Sequence, residues 1–373
     1  MPLNPLNFQK SLKNTGHVPG LDGIRGIAVL IVMIYHCGIY FNDYFHGGVI
    51  GVDIFFVLSG FLITSLIVRE FINTSSFSFA NFYIRRFLRL APALLLVLLF
   101  VSLINLVIYD WQKLISNLAA VSITLFSASN FSIMFKIYDL GYLATTWSLS
   151  IEEQFYLLWP VTLFILLRTI PNRFALATVA LALTLLAGWV RGYMIINDYS
   201  FVRIYYGLDT RAVALMIGCV LGIVLSFELL NPRLIGVTSR WLTVISPLGV
   251  MCLPLISLYI NLPDKYMRTP DTSTYWGLFA VEIISAIIIL DISINNRSIV
   301  HRLFSIKWLG WIGSISYGLY LWHYPLLLLF KRLGFNQLQI VIFGTLATFL
   351  IATSSFYFIE KPVLKLKNTY GGM

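Results

Sequence analysis

The chain has 373 residues, 58% of them hydrophobic and only 11% charged, with a mean hydropathy of +0.84. A soluble globular protein carries about 25% charged residues, so this composition excludes one and specifies a polytopic membrane protein with little chain left for a soluble domain. A formal net charge of +10 suits cytoplasmic loops on anionic lipid and argues against a nucleic-acid partner.

Ten hydrophobic segments follow in chain order, at about 22–41, 48–69, 90–109, 148–167, 174–195, 211–228, 241–260, 275–293, 308–330 and 338–359. They specify an all-α helix bundle of about ten transmembrane helices, spanning 21–362. Segments near Pro247, Pro254 and Pro325 are interrupted by proline, which neighbouring helices tolerate in a bundle. The stretch 110–147 is the longest connection, apolar enough to hold an interfacial or re-entrant piece. Arginine and lysine set the orientation. With the N-terminus inside, sixteen basic residues (Lys10, Lys13, Arg69, Arg85, Arg86, Arg89, Arg168, Arg173, Arg233, Arg240, Arg297, Arg302, Lys307, Lys361, Lys365 and Lys367) fall on the cytoplasmic side against nine outside. Residues 1–20 are then a cytoplasmic segment, 363–373 a cytoplasmic tail, and both termini are cytoplasmic. No cleavable signal pattern precedes Leu21, so the first span is expected to direct insertion. Cys37, Cys219 and Cys252 all sit in apolar runs and imply no disulfide framework. The histidines show no metal-ligand spacing, so no metal is expected.

The first span reads LDGIRGIAVLIVMIYH. Arg25 and His36 are eleven residues apart, which at about 100° and 1.5 Å per residue puts them on one face, about 16 Å apart along the axis. Ionisable residues inside a span face a protein interior or a wet cavity, although a snorkelling arginine and a packing histidine are the plain alternative. Cys37 lies about 100° from His36, so it reads as packing and not as a nucleophile. The assumed orientation brings Asp53, Glu152, Glu153, Asp209, Arg211 and His323 to the outer level of His36. Glu152 is taken as the inward-facing member of its pair, and Asp209 and Arg211 are expected either to form a site or to neutralise each other. The inner level is basic: Arg85, Arg86 and Arg89 share one helix flank, where positive-inside bias and phosphate capture are both adequate explanations.

These residues lie in pieces that resemble the integral-membrane acyltransferase 3 family, the O-acyltransferases of bacterial surface glycans. The pieces are LDGIRGIAVLIVMIYH, GVDIFFVLSGFLI, FYIRRFLRLAP, TTWSLSIEEQFYLLWP, LDTRAVALMIG, GSISYGLYLWHYPLL and FIEKP, ordered from residue 21 to 362. The resemblance implies a ten-helix bundle in the bacterial inner membrane. It would take an acyl group, acetyl by default, from cytoplasmic acyl-CoA and place it on a hydroxyl of an extracytoplasmic glycan or lipid-linked saccharide, as in polysaccharide or lipopolysaccharide modification of the cell envelope. It implies dependence on Arg25 and His36, and association of Arg85, Arg86 and Arg89 with the donor. Some members carry a further C-terminal SGNH-type domain, and none is expected within a chain that stops soon after Lys367.

Chemistry then suggests roles. His36 would be the general base or a covalent acyl carrier, Glu152 or Asp53 would orient its imidazole, and His323 would donate to the oxyanion. Arg25 is grouped with the donor-binding arginines, and Trp147, Asp209 and Arg211 with the acceptor. Outer aromatics such as Tyr142, Tyr205, Tyr206, Tyr275 and Trp276 suit either sugar stacking or an interfacial belt. The rival from another class is a transporter or flippase for a glycan precursor, which shares broken helices and a polar interior.

Overall fold

A computed structural model describes residues 18–38, 46–108, 111–260 and 272–365. The N-terminal residues 1–17 and the tail beyond Lys365, both read as cytoplasmic, lie outside the described residues. Among the described residues sixteen α-helices follow one another: α1 Pro19–Gly38, α2 Ile50–Thr74, α3 Phe79–Ile108, α4 Trp111–Leu125, α5 Ser129–Met134, α6 Trp147–Thr169, α7 Arg173–Ile196, α8 Phe201–Tyr206, α9 Leu208–Ser226, α10 Pro232–Tyr259, α11 Thr272–Ile294, α12 Ile299–Phe304, α13 Lys307–Ser314, α14 Ser316–Arg332, α15 Gln337–Ser355 and α16 Lys361–Lys365. No strand occurs among the described residues. A bilayer offers no water to backbone N–H and C=O groups, so apolar runs of this length bond internally as helices. Side chains at loop ends start several of them. Asn172 caps α7, Asn231 precedes Pro232 at the start of α10, and Asn336 forms a reciprocal capping box with Gln339 on α15.

Nine stretches of the described residues are long and apolar enough to cross a membrane. Helix α14, with 17 residues, is at the short end of spanning length. Three boundaries differ from the sequence reading. Helix α3 begins at Phe79 and not near residue 90, so the arginine run lies inside the helix. The ninth segment is broken at Ile315, where Ser314 Oγ turns back to the Trp311 carbonyl at 2.6 Å. The tenth ends in a π-turn, Phe356–Glu360, before α16. The long connection contains α4, α5 and a 3-10 turn, Gly141–Thr146, and α4 is tied to α3 by a buried Asn105–Asn117 hydrogen bond of 2.8 Å.

The chain packs as two units. Among the described residues, one holds 18–32, 46–77, 155–260 and 272–314; the other holds 33–38, 78–108, 111–154 and 315–365. Within the first, α2 is the central helix, with 78% of its span buried, whereas α7 is only 17% buried. Helices α2 and α9 touch backbone to backbone. A Cβ on Gly60 would strike the Leu215 carbonyl, and one on Gly218 the Val57 carbonyl. The small residues at Gly218 and Gly222 are one turn apart on that contact, as close helix packing in lipid requires. Likewise α1 approaches α13, where a Cβ on Gly313 would strike the Asp22 carbonyl. Within the second unit, α14 packs on α15, α3 and the Gly141–Thr146 turn.

The orientation has a direct test. Ile137 is 56% exposed in the long connection, and Ser76 is exposed in the turn between α2 and α3. A membrane-impermeant maleimide added to intact cells is expected to modify Ile137→Cys and to spare Ser76→Cys until the membrane is permeabilised. The reverse pattern would invert the topology.

Candidate active site

The second unit brings His36 and His323 together. His36 stands near the end of α1, and His323 lies two turns into α14. His36 Nδ1 is 3.2 Å from His323 Nε2, and the ring centroids are 4.9 Å apart. His323 is 1% exposed, and its Nδ1 lies 3.2 Å from the Leu319 carbonyl one helical turn back. A carbonyl only accepts, so His323 Nδ1 carries a proton and, in the neutral ring, Nε2 carries a lone pair. His36 Nδ1 therefore donates to it. The lone pair of neutral His36 is left on Nε2, on a half-exposed ring. This tautomer is assigned from the bonding network. Tyr35 and Tyr324 stand edge-on to the His36 ring at 5.0 and 5.2 Å. Tyr320 packs 5.5 Å from the His323 ring; its hydroxyl donates to the Thr145 carbonyl at 2.9 Å and lies 2.6 Å from Ser148 Oγ.

One expected role is revised by this geometry. The partner at His36 Nδ1 is His323, in place of Glu152 or Asp53. Both His323 nitrogens have partners, the Leu319 carbonyl and His36 Nδ1.

The same unit holds the arginine run. Arg86 grips Glu153 through two nitrogens, Nε at 3.1 Å from both carboxylate oxygens and Nη2 at 2.6 Å from Oε1. Glu153 is thus an acid that meets the run. The expected separation into an inner arginine level and an outer glutamate level fails for this pair. Arg86 lies two turns into α3, because that helix starts at Phe79, and Glu153 lies nearly two turns into α6. A further acid closes the cluster. Glu360, 4% exposed on the π-turn, accepts from Ser355 Oγ at 2.8 Å and feels the charge of Arg89. Gly318 on α14 leaves room for it, its virtual Cβ lying 3.6 Å from Glu360 Oε1. Tyr317 is within electrostatic reach of Arg86, Glu152, Glu153 and Glu360. Trp147, read as an acceptor contact, opens α6 and is buried.

The first unit holds ion pairs of its own. Asp53 and Arg211 are both fully buried and meet at 3.0 Å, with the guanidinium over the rings of Tyr205 and Phe56 at 4.8 and 5.3 Å. Asp209 and Arg211 do not neutralise each other. Residues two apart project from opposite sides of a helix, and Asp209 instead accepts from Arg203 at 2.6 and 2.9 Å. Arg191 and Glu282 form a bidentate pair at 2.7 and 2.9 Å with almost no exposure. Arg25 is paired with Asp22 at 3.2 Å, one turn away on α1. Of the outer aromatics, Tyr142, Tyr205 and Tyr275 are buried and Trp276 is exposed. Among the described residues no group of three or more His, Cys, Asp or Glu side chains is arranged so that it could hold a metal ion.

The sequence model of an acyltransferase domain, that of the acyltransferase 3 family, matches residues 18–358. The chain belongs to the acyltransferase 3 family. It is 35% identical over 362 residues to the peptidoglycan O-acetyltransferase OatA of Listeria monocytogenes, covering 94% of this chain and 56% of that protein. It is 32% identical over 364 residues to the O-acetyltransferase OatA of Staphylococcus aureus, covering 94% of this chain and 57% of that one. The chain thus spans a little over half the length of these relatives. No solved structure matches it. The long apolar helices and the family together make it an integral membrane protein. His36, His323, Arg86 and Glu153 lie within the matched region, and Glu360 falls two residues beyond it.

Sequence reasoning assigned no role to Glu360, Tyr317, Tyr320, Arg191 or Glu282. The signal existed for the last two, since each is an ionisable residue inside an apolar segment. The Arg191–Glu282 pair yields a stability prediction. Removing one partner strands a buried charge, at a cost of about 3–5 kcal/mol, whereas replacing both with apolar residues can be nearly neutral. Glu282→Gln is expected to lower the thermal midpoint of the purified protein sharply, and Arg191→Met with Glu282→Leu to recover most of the loss. Equal destabilisation by the single and double variants would count against this account.

Proposed function

We propose that this chain is an O-acyltransferase of the bacterial inner membrane. It moves an acyl group, acetyl by preference, from acyl-CoA on the cytoplasmic side to a hydroxyl of an extracytoplasmic glycan. The relatives' names point to peptidoglycan as the acceptor. The observation that carries the reading is the Leu319–His323–His36 hydrogen-bond chain, which puts the proton of a neutral His36 on Nδ1 and its lone pair on Nε2 of a partly buried ring.

The reaction follows from that nitrogen. A sugar hydroxyl is a weak nucleophile at neutral pH and needs a base. His36 Nε2 takes the hydroxyl proton as the oxygen attacks the thioester carbonyl. The tetrahedral intermediate collapses, the C–S bond breaks, and the departing CoA sulfur recovers the proton from His36. Between these steps His36 is a cation whose Nδ1–H donates to His323 Nε2, so His323 stabilises the charge and fixes the ring. Arg85, Arg86 and Arg89 supply guanidinium groups for the phosphates of CoA. Both the base and the arginines belong to the second packing unit.

Two experiments test the reading. Mass spectrometry of wall glycan from a deletion strain is expected to show loss of O-acyl esters with the polymer intact; loss of whole glycan units would favour a flippase. In proteoliposomes supplied with labelled acetyl-CoA, His36→Gln should lose about 10²–10⁴-fold in transfer rate while still binding donor. His323→Ala should lose about 10–100-fold, because His36 keeps its nitrogen but not its orientation. Near-normal transfer by His36→Gln at equal membrane abundance would remove His36 from the mechanism.

A further inference from the structure

The acids that meet the arginine run bear on how a donor arrives and leaves, an inference that rests on the assignment of that run to donor phosphates. We propose that Glu153 is a resident stand-in for a donor phosphate. It holds Arg86 until a phosphate of the incoming acyl-CoA displaces it, and it returns to Arg86 to help expel CoA after transfer.

The geometry of the pair carries the proposal. Glu153 occupies Nε and Nη2 of Arg86, the same forked edge that a phosphate would use. Carboxylate and phosphate therefore compete for one pair of N–H groups. The pair is also open to exchange. Its side chains are 20% and 35% exposed, whereas the similarly bidentate Arg191–Glu282 pair is 8% and 0% exposed. A sealed pair fastens helices; a partly exposed one leaves room for an anion to approach. The two acids of the cluster also differ in restraint. Glu360 is buried, bonded to Ser355 and accommodated by Gly318, while Glu153 reaches across from α6 to α3 with a carboxylate that water can receive on displacement. Charge balance gives the exchange a purpose. An arginine within a bundle is costly without a counter-ion, and an arginine too free of one would hold CoA after the thioester is spent. Glu153 limits both, by stabilising the unliganded site and lowering the affinity for product.

The full chain in phosphatidylcholine nanodiscs provides the test, with acetyl-CoA and adenosine 3′,5′-bisphosphate as probes in calorimetric titration. Glu153→Gln is expected to bind both about tenfold more tightly than wild type and to release CoA more slowly in stopped-flow displacement. Glu153→Ala should behave alike, which keeps the test available if one variant folds poorly. In an Arg86→Ala background the Glu153 substitutions should change nothing. If they leave affinity unchanged or weaken it while Arg86→Ala and Arg89→Ala weaken binding, the exchange is overturned and the donor assignment stands. If Arg86→Ala and Arg89→Ala both bind the probes as wild type does, the donor assignment falls, and the exchange falls with it.

Discussion

Charge in a medium of low dielectric organises this protein. An ionised side chain within an apolar bundle is tolerated where a partner or water compensates it, and the spans accordingly carry their charges in pairs: Asp53 with Arg211, Arg191 with Glu282, Arg86 with Glu153. Each pair joins two helices that are distant in sequence. Apolar contact alone gives little preference for one neighbour over another in lipid, because the tails are as apolar as leucine. Ion pairs and backbone-close glycine contacts supply the preference. The α2–α9 contact uses both, with Gly60 and Gly218 allowing close approach and Asp53–Arg211 fixing which faces meet.

The pairs differ in what water can reach, and that difference separates structural from chemical roles. Arg191–Glu282 is sealed and has the features of a fastener. Arg86–Glu153 is partly exposed and sits beside Arg85 and Arg89 on the same helix. The histidine pair adds a second contrast. His323 is buried with partners at both nitrogens, while His36 is only partly buried and donates to it from Nδ1. Burying the supporting residue and exposing the reacting one is the arrangement expected of a positioned base. The direction of the hydrogen bonds follows from a single group, the Leu319 carbonyl, which can only accept.

Membership of the acyltransferase 3 family places these observations in a chemical setting without supplying the roles. The relatives name O-acetyl transfer, and the chain covers a little over half of their length. What this chain contributes is a hydrogen-bonded histidine pair, a basic cluster with acids against it, and a hydroxyl-rich contact at Ser148, Tyr320 and Thr145 next to the histidine pair.

Much of the architecture was legible in the sequence. Apolar runs of spanning length, few charges and the ordered motifs give a polytopic helical membrane protein of this family, because span length is set by bilayer thickness and helicity by the absence of water, both local properties. The residues worth watching were legible too, since an ionisable side chain inside an apolar run is conspicuous. Tertiary structure alone decided who meets whom. His36 and His323 are 287 residues apart, Arg191 and Glu282 are 91 apart, and Arg86 and Glu153 are 67 apart. Helical periodicity could have ruled out an Asp209–Arg211 pair, but not named Asp53 as the replacement. Choosing Glu152 over Glu153 depended on which face of α6 turns toward α3, and sorting residues by depth failed because α3 starts eleven residues earlier than its apolar stretch suggests. Hydropathy reports where a chain can sit in a bilayer; rotation and register between helices come from packing, and on those the site depends.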